Sequence, residues 1–424
     1  MSIILSLIVF SVLVLIHEFG HFLLAKKNGI GVTEFSLGMG PRIVSFTRKE
    51  TKYSWKLIPF GGSCMMVGED EDDNSDNSFN SKSVWARISV IAAGPIFNFI
   101  LAFVLSIVII GMEGWDECSV VYVAEGSGAE AAGLQEGDVI KEYDGKKIVI
   151  SRDLWLYQYM HSTTGKDIDI TFERDGKEHK IQMPATERYS MGVSYYDTAD
   201  PCETTEVVKG SAAAQAGIKQ GDIITSIDGN KVASGSELKE LLDKKPLSGE
   251  PVEITVTRDK ESLTFTMTPT RAYSTGFNFS MYRVDASPLQ TLRYSFTELR
   301  YDMESTLKSF YMLFTGQVST DDVSGPVGIV SIVGDAYNES KSDGARYVFL
   351  NIAYLIVLFS VNLGVLNLFP LPALDGGRLV FLFIEAVRGK PVKREREAVI
   401  HLIGMVVLMV LMVLILFNDI GKLL

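Results

Sequence analysis

IILSLIVFSVLVLIHEFGHFLLA, residues 3–25, is the stretch on which the reading of this chain turns. At 1.5 Å per residue it spans about 34 Å as a helix, enough to cross the hydrocarbon core of a bilayer. Lys26 and Lys27 end it. Within this apolar run stand His17, Glu18 and His21. An ionisable side chain at the bilayer centre costs about 2.5–3.5 kcal/mol or more, so such groups turn toward a polar interior and mark a functional site. The pattern His17-Glu18-Phe19-Gly20-His21 is HExxH. Residues i and i+4 share one helix face, so both imidazoles can bind one metal ion while Glu18 sits beside them to move a proton. In a soluble chain a chance HExxH or a satisfied helix histidine is the ordinary explanation. An apolar helix has no solvated surface to absorb a His-Glu pair, and a zinc-hydrolase arrangement is the stronger reading.

The 424 residues are 47% apolar, long enough for several domains and too apolar to be wholly soluble. A formal net charge of -12 argues against a nucleic-acid partner. The acidic run EDEDDNSDN, Glu69 to Asn77, reads as a solvated, flexible loop. Cys64, Cys118 and Cys202 have no zinc-finger or CxxC spacing, so no disulfide framework follows from them. The N-terminus lacks a basic leader and a small-residue cleavage site, and its apolar run is too long for a cleaved signal peptide.

Three further apolar stretches follow: Ile88 to Met112, Tyr347 to Leu368 continuing from Leu379 to Val387, and Ala398 to Phe417. Four membrane segments is the simplest count. Lys26, Lys27, Arg42, Arg48, Lys49, Lys52 and Lys56 follow the first, and Arg388, Lys390, Lys393, Arg394 and Arg396 lie between the third and fourth. The bias of cations toward the cytoplasm puts both basic loops inside, both termini outside, and residues from about 113 to 345 outside. His21 then lies close to the cytoplasmic end of its helix.

The first loop, Gly29 to Val67, alternates VTEFSL, RIVSF and YSWKLIPF with turn signals at Gly38-Met39-Gly40-Pro41 and Arg48-Lys49-Glu50. This predicts a small antiparallel sheet of about four strands. Its segment Ile58 to Gly62, with Gly61, offers an open edge or is a simple connection. The exterior segment is an internal repeat. GSGAEAAGLQEGDVIKEYDGKKI begins at Gly126 and GSAAAQAGIKQGDIITSIDGNKV at Gly210, an offset of 210 - 126 = 84 that also relates Cys118 to Cys202. These are two copies of one domain in register, each with a helix, near Leu154 to Met160 or Glu237 to Leu242. After them, Leu289, Leu292, Phe296, Leu299, Met303, Leu307, Phe310 and Phe314 recur at helical steps, facing Arg293, Glu298, Arg300, Asp302, Glu304 and Lys308. That is a long amphipathic helix, expected on the membrane surface or packed against the repeats.

Two histidines leave a catalytic zinc site one protein ligand short. His161 and His179 lie in the exterior segment, and His401 follows a basic loop at the membrane boundary, where an interfacial role is expected. The segment from Asn362 to Gly377 instead breaks a membrane helix with Pro370, Pro372, Gly376 and Gly377 beside Asp375. Irregular backbone at that depth is tolerated where it is buried in protein or lines a polar cavity. Asp375 is a credible third ligand, or else a cap for the helix that follows.

With these residues in view, the chain resembles the site-2 protease family and, within it, the bacterial RseP-type intramembrane zinc metalloproteases. The resemblance rests on HEFGH, Gly38-Met39-Gly40, Gly94-Pro95-Ile-Phe-Asn98, the tandem AxxAGLxxGDVIxxxDG repeats, Ser324-Gly325-Pro326, and NLFPLPALDGG from Asn367 to Gly377. It implies one Zn2+ held by His17, His21 and Asp375, with Glu18 as catalytic base and Asn362 and Asn367 near the substrate. It also implies that the loop sheet, with Gly38, Gly40, Ile58, Gly61 and Gly62, pairs with an unwound substrate segment. Asn367 could further donate to the developing oxyanion. The implied fold is a multi-pass α-helical membrane protein with a small membrane-associated sheet and two exterior, circularly permuted PDZ-like α+β domains. Gly192 and Gly276 close the repeats where a PDZ carboxylate loop would stand, without the full Gly-Leu-Gly-Phe pattern.

The expected organisation is a first membrane helix over 1–28, the cytoplasmic-side sheet and acidic loop over 29–82, and a second membrane helix over 83–112. PDZ-like domains follow over 118–198 and 202–283, then the amphipathic helix over 287–316 and a connector over 317–346. A broken third membrane segment occupies 347–388 and the fourth 397–419. The implied partners are membrane lipid and transmembrane protein substrates, such as anti-sigma factors or remnant signal peptides, trimmed beforehand by another protease. The implied location is the bacterial inner membrane. A non-proteolytic zinc-binding membrane protein would need no Glu18, and a PDZ adaptor would leave Asp375 and the broken helix unexplained.

Overall fold

The computed structural model describes residues 2–69, 73, 75–161, 163–317 and 324–423. Residues 70–72 and 74 of the acidic loop and 318–323 of the connector lie outside the described residues. The chain divides into two compact units, one of residues 1–115 and 283–424, the other of residues 116–282.

The first unit opens with α1, Ser2–Lys27. Two long strands follow, β1 (Val32–Arg48) and β2 (Thr51–Met66), each folded back so that the pair makes four paired segments. Val32–Leu37 pairs with Gly62–Met66 on one side and, from Glu34 to Leu37, with Lys52–Trp55 on the other, while Arg42–Arg48 pairs with Thr51–Lys56. The expected four-segment sheet is therefore present, with Gly62–Met66 at one edge and Arg42–Arg48 at the other. Ile58 itself pairs with Met39. Gly38, with φ at 86°, brings its backbone against the Ile58 carbonyl, and no side chain fits there. The outer half exposes Met39, Ile43, Val44, Phe46, Trp55, Leu57 and Ile58, an apolar surface that water would not favour. The inner half is tied down by Ala25, Ile30, Val32, Cys64, Met66, Val90, Ile91, Leu379 and Leu382, which share one core.

Helix α2, Val84–Glu113, packs along α1 with Ser83 capping its start. A Cβ on Gly20 would strike the Ala93 carbonyl, so the two helices approach as closely as backbones allow. In the second unit each repeat forms a four-stranded sheet with one ten-residue helix and one shorter helix, Gly128–Ala131 in the first repeat and Ala212–Ala216 in the second. Repeat 1 comprises β3 (Val120–Val123), β4 (Val139–Tyr143), β5 (Lys146–Lys147), α3 (Ser151–Met160), β6 (Ile168–Arg174), β7 (Lys177–Met183), β8 (Thr186–Ser190) and β9 (Val193–Tyr195). Repeat 2 comprises β10 (Thr204–Val207), β11 (Ile223–Ile227), β12 (Asn230–Lys231), α4 (Gly235–Lys244), β13 (Val252–Arg258), β14 (Glu261–Met267), β15 (Thr270–Ser274) and β16 (Phe277–Phe279). The sheets run β5-β4-β6-β7 and β12-β11-β13-β14.

The repeats exchange their last strands. β9 pairs with β10 and β16 with β3, while β8 and β15 cross as an antiparallel pair. Met191 accordingly sits in the core of repeat 2 and Phe277 in that of repeat 1. Residues 118–198 and 202–283 are thus repeats of sequence, and each packed core takes its closing strand from the other copy.

Helix α5, Pro288–Phe314, is the long amphipathic helix that the spacing predicts. Within the first unit it lies against α2 and against α7, Ala345–Leu368. Its polar residues Thr291, Ser295, Glu298, Asp302 and Thr306 are buried, while Leu289, Leu292, Phe296, Leu307 and Phe314 face outward. This is the inverse of a helix in water. It suits hydrocarbon outside and polar partners inside: Thr306 donates to the Asn362 side chain at 2.6 Å, and Arg283 lies 3.8 Å from Glu298.

Between α5 and α7 the connector contains a helix the spacing did not disclose, α6, Pro326–Ser340. Asp419 accepts from the Gly325 and Gly328 N–H groups at its start, both at 3.0 Å. The apolar segment after α7 breaks as expected, resuming as α8, Asp375–Arg388, before the last helix α9, Arg394–Leu423. α1, α2, α7 and residues 395–421 of α9 are each long and apolar enough to cross a membrane.

Candidate metal centre

Helical periodicity alone stacks His17 and His21 on one face of α1. Their Nε2 atoms lie 3.3 Å apart. The turn after α7 carries Asp375 to the same face, its Oδ2 at 3.2 Å from His17 Nε2 and 3.4 Å from His21 Nε2. The three atoms form a nearly equilateral triangle. A tetrahedral zinc ion with bonds of about 2.0–2.1 Å separates its ligand atoms by about 3.3 Å.

Proton placement sharpens the fit. His21 Nδ1 lies 2.9 Å from the Val90 carbonyl, which only an N–H can satisfy, so Nε2 is left with its lone pair. His17 Nδ1 faces the Asn98 side-chain amide at 3.2 Å. The atom placed there is the amide nitrogen, while Oδ1 has no partner; turning the amide over presents that oxygen to a proton on Nδ1 and leaves Nε2 its lone pair toward the triangle. Ser360 donates to the Asn98 backbone carbonyl at 2.8 Å and fixes this stretch of α2 against α7. Two imidazole lone pairs and a buried carboxylate oxygen lacking any hydrogen-bond donor then converge on one point. Three acceptors at that separation repel unless a cation lies between them. The residues fit a zinc ion.

Glu18 stands between this triangle and the sheet edge. It accepts from the Cys64 N–H, and a Cβ on Gly62 would fall 2.9 Å from its Cγ. The edge segment Gly62–Met66 therefore runs directly past the carboxylate. Gly61 is in the left-handed region with φ at 81°, its Cα facing Met39. Gly40 also has a positive φ, beside the Ile58 side chain. Asn362 is held by Thr306, and Asn367 lies at the end of α7, before the turn to Asp375. His161 and His179 belong to the second unit. His401, expected at an interface, accepts the Ala373 N–H at 2.9 Å.

Sequence analysis singled out Gly94 and Asn98 as part of a motif without giving either a role, and it missed Val90: Val90 joins the centre through its carbonyl, Asn98 through its amide, and Gly94 because any Cβ there would strike His21 Nε2. A polar Asn and a Gly-Pro pair inside an apolar helix were the available signal.

The family model described as Peptidase family M50 matches residues 5–411. A zinc metalloprotease RasP of Geobacillus kaustophilus is 31% identical over 99% of this chain and 98% of its own length. The regulator of sigma-W protease RasP of Bacillus subtilis is 30% identical, covering 100% of this chain and 99% of its own. A putative zinc metalloprotease of Fusobacterium nucleatum is 29% identical over 100% and 99%.

Proposed function

This chain belongs to peptidase family M50, and we propose that it is an intramembrane zinc endopeptidase that cuts membrane proteins in or beside their transmembrane segments. The observation that carries this is the triangle of His17, His21 and Asp375, with Glu18 beside it, inside an apolar helix. His17, His21 and Asp375 are the zinc ligands. When bound, zinc supplies a water nucleophile near neutral pH and polarises the scissile carbonyl. Glu18 takes the proton from that water and delivers it to the leaving nitrogen. Val90 and Asn98 hold the imidazole protons away from the ligand face and so keep both rings in the binding tautomer.

A substrate helix hides its carbonyls in its own hydrogen bonds and must unwind before it is cut. The edge beside Gly62, next to Glu18, supports strand addition as the device that holds it extended, and the exposed apolar half of the sheet supports immersion of that edge in the bilayer. Asn362 and Asn367 are proposed substrate contacts. The basic loops support cytoplasmic placement of the sheet, with both termini and the PDZ-like unit outside a bacterial inner membrane. The relative named as a regulator of sigma-W protease supports membrane-protein substrates in regulated proteolysis.

The reading is tested by incubating purified wild type and Glu18→Gln with a model single-span substrate, with and without a chelator. Cleavage by wild type alone, lost on chelation, is expected. Cleavage that survives both Glu18→Gln and chelation overturns the reading.

A further inference from the structure

The turn that delivers Asp375 has an unusual residue at its tightest point. Leu371 to Leu374 is closed by the Leu374 N–H donating to the Leu371 carbonyl at 3.2 Å. Pro372 stands at the second position and Ala373 at the third, where φ is 77°. That is the pattern of a type II turn, whose third position requires positive φ and ordinarily carries glycine. Alanine there strains the backbone, and such conformations persist only where surrounding contacts enforce them.

The enforcing contact comes from α9. His401 Nδ1 accepts the Ala373 N–H at 2.9 Å, which requires the lone pair on Nδ1 and puts the neutral ring's proton on Nε2; Glu397 lies 3.8 Å from Nε2, beyond hydrogen-bond reach. The Phe381 ring lies 5.6 Å from the imidazole. One turn along, a Cβ on Gly404 would fall 2.6 Å from the Pro372 carbonyl oxygen, so α9 rests directly on the turn. Asp375 follows two residues after Ala373, and zinc bonds tolerate ligand displacements of only about 0.2 Å. A rotation of the turn at Ala373 moves the carboxylate much further.

We propose that His401 is a positioning residue for the metal centre: by accepting the Ala373 N–H it holds the left-handed turn that aims Asp375 at His17 and His21. The last apolar helix supplies no ligand and sets the place of one. This rests on Asp375 being a ligand. Asp375→Asn, assayed alongside, separates the two ideas, because wild-type zinc retention in that variant defeats the ligand reading whatever His401 does.

The test uses full-length, detergent-solubilised, monodisperse protein loaded with zinc, and reads zinc release to an excess chelator. His401→Leu should release zinc about 10–100-fold faster than wild type, the range for loss of a residue that orients a ligand. His401→Asn, whose side-chain oxygen can take the place of Nδ1, should stay within about 3-fold of wild type. Ala373→Gly in the His401→Leu background should restore most of the retention, because glycine adopts positive φ unaided. The proposal is overturned if His401→Leu keeps zinc like wild type, if His401→Asn loses it as fast as His401→Leu, or if Ala373→Gly restores nothing.

Discussion

Gly94 of α2 lies so close to His21 that a side chain on it would occupy the ligand face: its Cβ would strike Nε2 and come within 2.8 Å of His17 Cε1. Gly94→Ala should therefore displace an imidazole and empty the centre, whereas Gly111→Ala on the same helix, with nothing nearer than 4.0 Å, should be tolerated. Elemental analysis of both purified variants checks this; equal zinc in the two would contradict the geometry.

Glu34 links the sheet's stability to acid. Its carboxyl is held down to about 2 from 4.5, chiefly by the hydrogen bond from Arg42, with Ser54 and Lys56 adding to the effect. A depressed folded value means the stabilisation is complete above about pH 4.5 and fades as pH falls toward 2. Trp55 emission and protease sensitivity of the sheet should change across that window in wild type. Glu34→Gln should remove this acid limb and leave the sheet more protease-sensitive at neutral pH.

The strand exchange forbids removing one repeat at a time. Deleting residues 202–283 takes Phe277 and Phe279 from the core of repeat 1, which should then become protease-labile although its own sequence is intact. Deleting residues 116–282 removes the compact unit whole. If that unit acts as a gate, as its incomplete carboxylate loops suggest, the whole deletion should cleave untrimmed substrates and cut trimmed ones at a rate similar to wild type. Loss of cleavage of trimmed substrate by a zinc-loaded deletion would mean the unit recruits substrate instead.

Orientation can be read by labelling. In intact cells, single-cysteine probes between residues 200 and 280 should react with an impermeant reagent, and probes at Lys49 or Lys393 should not. The reverse pattern would put the metal centre near the exterior face.

Much of this protein was legible because its signals are local. HExxH needs only the helical period to become a candidate metal site, and Asp375 stands out as a carboxylate at a break in a membrane helix, readable as a ligand or as a helix cap. Both follow from covalent spacing and from the cost of charge in hydrocarbon. Four apolar helices were legible from hydropathy, and a small antiparallel sheet of about four strands from alternation and turn residues; that two long strands fold back to make it was shown by the structure. The amphipathic stripe of α5 was visible too, but its direction was not: periodicity reports two faces without saying which solvent each meets, and only packing on α2 and α7 turned the polar one inward. The 84-residue offset is likewise unchanged whether a strand closes its own copy or its neighbour's, so the exchange of β9 and β16 was decided by tertiary structure. The contacts of Gly94, Asn98 and His401 belong to the same class. Each depends on two segments far apart in the chain meeting at a few ångströms, and spacing within one segment carries no record of that distance.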